Sequence, residues 1–372
     1  MKRKLMILLT IVSIFALCIT TNATVDTMSA KIEKQKDSIK AYQEIEKAIK
    51  SKSDKSLSKY AGAYIDDNGN LNILIAGKNN DDIDTFGKSA KLNTVIYHDA
   101  VLTINELLNL KNSIDNSVEN LRNKGIIITE CVLNEEENCI YLYVENLDQQ
   151  KIDILKDTFN SDAIVIKNSN DVIQPCYSLN APGHFIDFFS GSTSLFGGTL
   201  TFWAKDSNGN PGVVAFGHSM KVGYITYFGT VDKVAFSGKC DASFIKQTNS
   251  NATPSAKIYF DTASRISNVV FSTMPQGTSV AVARGTSQSY SWDSITSTSA
   301  SGLVGTTWIT DMYTTNNSLT AGDSGSPLLY QASTFAYGLL GQASGVGLSG
   351  SYFVKFSNVY SGLGLSSYTI EP

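Results

Sequence analysis

Histidine is scarce in this chain of 372 residues: there are three, scattered at positions 98, 184 and 218. No Cys/His cluster has ligand spacing, so neither a metal centre nor a bound cofactor is expected. Basic runs are absent beyond Met1-Lys2-Arg3-Lys4, and the net charge is −4. Nothing therefore favours a nucleic acid or another polyanion as partner. No internal repeat or extended low-complexity tract is present. The apolar run at 5–19 falls short of the roughly 20 residues that a membrane-spanning helix needs. It follows the basic start and precedes Thr21-Asn22-Ala23, so residues 1–23 read as a signal peptide and the product as secreted. The alternative is a tilted N-terminal anchor. Leu17 ahead of Cys18 lacks the small residue of a lipoprotein site.

What is present divides the chain in two. Residues 24–176 hold 18 Lys and Arg and 25 Asp and Glu; residues 177–372 hold nine of each class. Glycine runs the other way, with five of 28 before residue 177. Such a shift predicts two domains of different architecture, at about 24–170 and 171–372, with a linker between 165 and 180. The later part, rich in Gly, Ser, Thr and aromatics, reads as short strands joined by tight turns, hence a barrel or sandwich. Of the cysteines, Cys131 and Cys139 flank a hairpin-like stretch, and Cys176 and Cys240 are the others outside the signal peptide. An oxidising compartment permits two disulfides whose pairing the sequence leaves open, and free buried thiols are the equal alternative.

The first domain alternates helix and strand. Residues 26–60 carry an amphipathic helical pattern. A hairpin follows, with strands at 63–65 and 71–75. Residues 94–97 read as a strand, and Thr103 caps a helix that stops at Gly125. Strands at 126–133 and 139–144, a helix opened by Asn146 or Asp148, and a strand at 163–166 complete a βαββαβ, ferredoxin-like order. His98 beside Asp99 reads as a surface residue at a strand end.

The second domain holds the chemistry. In Thr320-Ala321-Gly322-Asp323-Ser324-Gly325-Ser326-Pro327 a serine stands between glycines in a turn that leads into an apolar stretch. Such a turn presents a hydroxyl and aims backbone N–H groups at one spot, where acyl transfer develops negative charge. A serine needs a base and an orienting acid. An apolar strand delivers His218 through Val214-Ala215-Phe216-Gly217; no strand delivers His184. Asp241 opens a small-residue stretch in which a carboxylate can be buried against the histidine. It is preferred to Asp232, Asp261, Asp293 and Asp311.

The order His218, Asp241, Ser324 and the Gly-Asp-Ser-Gly run resemble the chymotrypsin-fold serine proteases, and more closely their α-lytic protease and streptogrisin branch. Thr199-Leu200-Thr201-Phe202-Trp203-Ala204 with Gly209 and Gly212, Val280-Ala281-Val282-Ala283-Arg284-Gly285, and Ala336 to Gly345 match that branch as well. The resemblance covers about 175–370. It implies an all-β double β-barrel and an N-terminal pro-region that helps folding and blocks the cleft.

Carried onto this chain, the resemblance implies a secreted, monomeric endopeptidase made as a zymogen, with polypeptides as substrates. Ser324 would be the nucleophile, His218 the base and Asp241 its orienting acid. The N–H groups of Gly322 and Ser324 would form the oxyanion hole. Asp323 would pair with the new N-terminus or an internal cation. Ser318 would line the side-chain pocket, and Gly341, Gln342 and Ala343 the strand that holds substrate backbone. The stretch 315–320 has no acidic residue, so an uncharged side chain is the expected preference. Three departures stand out: Ser219 replaces the family's cysteine, Ser326 its glycine, and Gly341 stands where a substrate-binding serine is expected. The alternative is a non-catalytic binding protein on the same fold; an esterase reading lacks the Gly-x-Ser-x-Gly elbow.

Overall fold

In the computed structural model, which describes residues 32–51, 55–90, 95–169, 173–175, 186–190, 193–252 and 255–368, the amphipathic run forms helix α1 over 32–51. The signal-peptide reading and His184 lie outside the described residues. Strands β1 (Tyr60–Ile65) and β2 (Leu71–Ala76) form the expected hairpin. Its turn is held by Asp66, whose carboxylate accepts the N–H groups of Asn68 and Asn70. Helix α2 (Asn80–Ala90) then returns the chain so that β3 (Ile96–Ala100) lies parallel to β2. Helix α3 (Ile104–Asn123) opens with a reciprocal cap between Thr103 and Glu106. Strands β4 (Ile128–Asn134) and β5 (Cys139–Val144), helix α4 (Gln149–Phe159) and strand β6 (Ile164–Asn168) follow.

The order βαββαβ over β3 to β6 is the expected one, but hydrogen bonding divides it. β3 belongs with β1 and β2, while β4, β5 and β6 form a separate run. The cause is α2, which the sequence pattern did not reveal: a parallel neighbour needs a crossover, and α2 supplies one to β2. The register also settles one disulfide possibility. Cys131 faces Leu142 and Cys139 faces Asn134. The two cysteines are thus three residues out of step, about 10 Å at the rise of a strand, beyond disulfide reach. Cys131, Cys139 and Cys240 are all buried free thiols, and Cys176 lies outside the described residues.

The later part is almost wholly β. It begins with β7 (Gln174–Pro175), β8 (Ile186–Ser190), β9 (Thr193–Gly198), β10 (Phe202–Asp206), β11 (Pro211–Ala215), β12 (Gly229–Ser237) and β13 (Cys240–Gln247). Next come β14 (Lys257–Ile258), β15 (Asp261–Val269), β16 (Ser279–Arg284), β17 (Ser289–Val304), β18 (Thr307–Thr315), β19 (Pro327–Ser333), β20 (Ala336–Gly347) and β21 (Gly350–Lys355). Helix α5 (Phe356–Leu363) and β22 (Leu365–Tyr368) close the chain. One sheet runs β12-β13-β11-β10-β22. Six of the other strands close a barrel, in which β16 pairs β17, then β18, β21, β20 and β19 follow, and β19 returns to β16; β14–β15 and β7 attach to β20, and β8 pairs with β9. Closure leaves no free edge around that ring. These two β units, behind an α+β segment, are the double-barrel architecture expected.

The amino-terminal segment is built onto the barrel. β4 pairs with the far end of β17 through Ala300, Ser301 and Gly302, so the two sheets are continuous. α1 and β1–β2 share one apolar core with barrel residues Val280, Val282, Leu328 and Phe353. Gln35 of α1 donates to Gly277 O and accepts from Ser279 N. Among the described residues no helix is long and apolar enough to cross a membrane.

Candidate active site

Each of the three residues reaches the site for a local reason. β11 ends at Ala215, and Gly217 then passes so close to β13 that a Cβ there would stand 2.5 Å from Ala242 N. Only glycine fits that approach, and His218 follows it. Asp241 is the second residue of β13. Ser324 sits in the turn between β18 and β19, where Gly322 and Gly325 have φ of 101° and 87°. A Cβ at Gly325 would also meet Thr199 O at 2.1 Å.

The turn is tied to the segment ahead of β10. Thr199 N donates to Ser324 O, and the Thr199 hydroxyl donates to Gly322 O, both at 2.8 Å. Among the described residues no acceptor meets the N–H of Gly322 or of Ser324.

His218 Nδ1 lies 2.6 Å from Asp241 Oδ2, and His218 Nε2 lies 2.9 Å from Ser324 Oγ. The other Asp241 oxygen accepts the N–H groups of Gly217 and His218 at 2.8 and 2.7 Å, and the Ser344 hydroxyl donates to Oδ2. Burial alone would push this carboxyl up. The His218 charge and these hydrogen bonds outweigh it and hold the group below the usual carboxylate range. An ionised Asp241 requires Nδ1 to carry the proton, so Nε2 is the acceptor facing the Ser324 hydroxyl. Phe216 packs beside the imidazole, ring centroids 4.7 Å apart.

A family model described as a Pro-like N-terminal domain matches residues 27–106. No curated protein matches the chain. Among solved structures, Thermobifida fusca protease A is 20% identical, over 51% of this chain and 98% of its own, with a TM-score of 0.40. Cellulomonas bogoriensis chymotrypsin is also 20% identical, over 51% of this chain and 100% of its own, with a TM-score of 0.40. A Nocardiopsis protease is 17% identical, over 53% and 100%, with a TM-score of 0.38.

The structure brings His218, Asp241, Gly322 and Ser324 together and distributes the remaining candidates differently. Ser318 is exposed on the segment between β18 and Ser324, and its neighbour Asn317 is buried. Gly341, Gln342 and Ala343, expected to hold substrate, are buried in structural roles. Gly341 pairs with Leu328 and Lys355 inside the barrel, and a Cβ there would meet Val354 O at 2.3 Å. Ala343 exchanges backbone bonds with Gly325 and Ser326. Gln342 lies behind the triad.

A serine does stand three residues beyond Gly341, at Ser344, and its hydroxyl bonds Asp241. Next to Ser344 the end of β20 is covered: β7 pairs antiparallel with it, Pro175 to Gly345 and Gln174 to Val346. Asp323 has found an internal cation, Arg284 of β16, at 2.8 Å. Ser326, in the place of a glycine, is buried with no partner for its hydroxyl among the described residues.

Proposed function

We propose that the chain is a secreted serine endopeptidase made as a zymogen. The observation that carries this reading is the buried relay Asp241, His218, Ser324 with contacts of 2.6 and 2.9 Å. Ser324 Oγ attacks the scissile carbonyl while His218 Nε2 takes its proton. The N–H groups of Gly322 and Ser324 receive the oxyanion. His218 then protonates the leaving amine, and a water activated by the same nitrogen releases the acyl group. Asp241 keeps the tautomer and stabilises the imidazolium.

The amino-terminal segment fits the inhibitory half of this reading. Ser324 is 0% exposed and His218 2%, so the reacting groups are closed to solvent in the uncut chain. β7 lies on the strand that carries Ser344, in the extended antiparallel manner of a bound peptide. β7 belongs to the 165–180 linker, and we place the processing cut within that linker.

The test is the purified protein and its Ser324→Ala form, each incubated alone and with casein and weighed intact. The expected result is loss of an amino-terminal fragment ending within residues 165–180 and cleavage of casein by wild type alone. Casein turnover by Ser324→Ala should be lower by roughly a million-fold. If neither protein cleaves after another protease nicks the linker, the chain is a binding module on this fold.

A further inference from the structure

Behind the triad, on β20, lies a buried glutamine. Gln342 is fully buried, and each end of its amide has a partner. Its Nε2 donates to Asp241 O at 2.7 Å and to Ala215 O at 3.2 Å. The Thr201 hydroxyl lies 2.8 Å from its Oε1 and 2.7 Å from Gly325 O, and its one hydrogen is shared between the two acceptors. Two carbonyl oxygens on one side fix which end is the NH₂.

These bonds join the four pieces of chain that the chemistry needs in register. Asp241 is the orienting acid, held here by its own backbone. Ala215 ends the strand that delivers His218. Gly325 follows the nucleophile, and Thr201 belongs to the segment whose Thr199 anchors the serine turn. The acid and base come from one sheet and the serine from the barrel, and the two share an apolar core that includes Phe202, Val214 and Phe244 of the sheet and Ala281, Leu329 and Val354 of the barrel. Apolar contacts are non-directional and permit small slides; hydrogen bonds at fixed angles do not. We propose that Gln342, with Thr201, is a positioning residue that sets Asp241 and His218 against Ser324. The proposal rests on the serine-nucleophile reading above.

The test uses the full chain after its 165–180 linker has been nicked, and reads the rate at which a fluorophosphonate probe labels Ser324, together with kcat and KM on a peptide substrate. Gln342→Met keeps the length of the side chain and removes its hydrogen bonds. A shift of the relay predicts labelling and kcat down about 10- to 100-fold with KM within about twofold. Thr201→Val should show part of this loss, and Thr201→Ser, which keeps the hydroxyl, should restore it.

A purely structural role would lower the melting temperature yet leave the folded fraction labelled at the wild-type rate; that result overturns the proposal. Should Gln342→Met fail to fold, equal rates for Thr201→Val and Thr201→Ser overturn it instead. Wild-type protein that the probe never labels removes the nucleophile reading itself, an outcome distinct from normal labelling of the variants.

Discussion

Arg284 and Asp323 are paired while the chain is uncut. The guanidinium at the end of β16 meets the buried carboxylate at 2.8 Å, and Thr286 and Thr320 donate to the same group. Asp323 directly precedes Ser324, so this pair fixes the serine turn before any cleavage creates a new N-terminus. On the proposed reading, activation is then a matter of uncovering the site rather than of forming it.

Arg284→Met should strand a carboxylate that is 0% exposed. Removing one partner of such a pair costs about 3–5 kcal/mol, and the turn bearing Ser324 is where the loss falls. A drop in denaturant midpoint with slowed fluorophosphonate labelling is expected. An unchanged midpoint would show that Thr286 and Thr320 suffice to hold Asp323.

Asp241 makes stability fall in acid. In the folded state the His218 charge and the hydrogen bonds hold its carboxyl below the usual carboxylate range. The unfolded chain therefore takes up the proton first as pH falls. The stabilisation is fully present above about pH 4 and disappears as pH drops through the folded value. Asp241→Asn should flatten the acid limb of the stability curve. It should also lower turnover about 10⁴-fold by allowing the wrong imidazole tautomer. Melting curves between pH 2 and 6 check the first point; an unaltered acid limb would refute it.

Glu135 works with the opposite sign. It is buried at the joint where its carboxylate accepts Ala63 N at 3.1 Å and the Thr298 hydroxyl. Burial pushes the group above its ordinary 4.5, and the hydrogen bonds only partly offset that. The folded state thus holds its proton more tightly, and stability is lost as pH rises from about 4.5 through the folded value. Glu135→Gln removes that loss. It should stabilise the protein by about 1 kcal/mol at pH 8 and change little at pH 4, by denaturant titration. Destabilisation at pH 8 would mean that the ionised form is the better partner for Ala63 and Thr298.

Much of this site is legible in the sequence because its parts are local. Gly322 and Gly325 beside Ser324 take positive φ, a local turn requirement, while Gly217 is legible as a glycine ahead of His218 although the approach that demands it involves the distant Ala242. Asp241 is legible from the small residues that follow it. Ser344 shows the opposite case. It becomes the partner of Asp241 through the register of β20, and a three-residue shift along a strand of Gly, Ala and Ser leaves no mark in composition. Gln342 shows the same limit, since its partners come from three other segments. In the amino-terminal segment, α2 has Ile83, Phe86 and Ala90 among polar residues, too thin a stripe to announce a helix. Without α2, β3 cannot be assigned to β2. The cysteines fail for the related reason that facing positions depend on register.

The contact most open to a decisive substitution is Glu130 of β4. It is fully buried, and its carboxylate accepts Leu348 N, Ser349 N and the Tyr352 hydroxyl at 2.8, 3.1 and 2.6 Å. The carboxylate comes from the amino-terminal segment, Leu348 and Ser349 lie in the turn that follows the β7-paired end of β20, and Tyr352 lies in β21. The bond set therefore holds the covering segment against the strand it covers. It touches none of the triad atoms. Glu130→Ala leaves three donors without a partner at a cost of about 1–3 kcal/mol for each one that water cannot reach. Sequence-distant groups that grip this way contribute to holding the cut fragment as well as to folding. After the linker is cut, the amino-terminal fragment of Glu130→Ala should separate from the barrel on gel filtration under conditions where the wild-type fragment stays bound. Its casein cleavage should begin with a shorter lag and reach the same final rate per labelled Ser324. Co-elution like wild type, with the same lag, would place the hold elsewhere, in the apolar core that α1 shares with Val280 and Phe353.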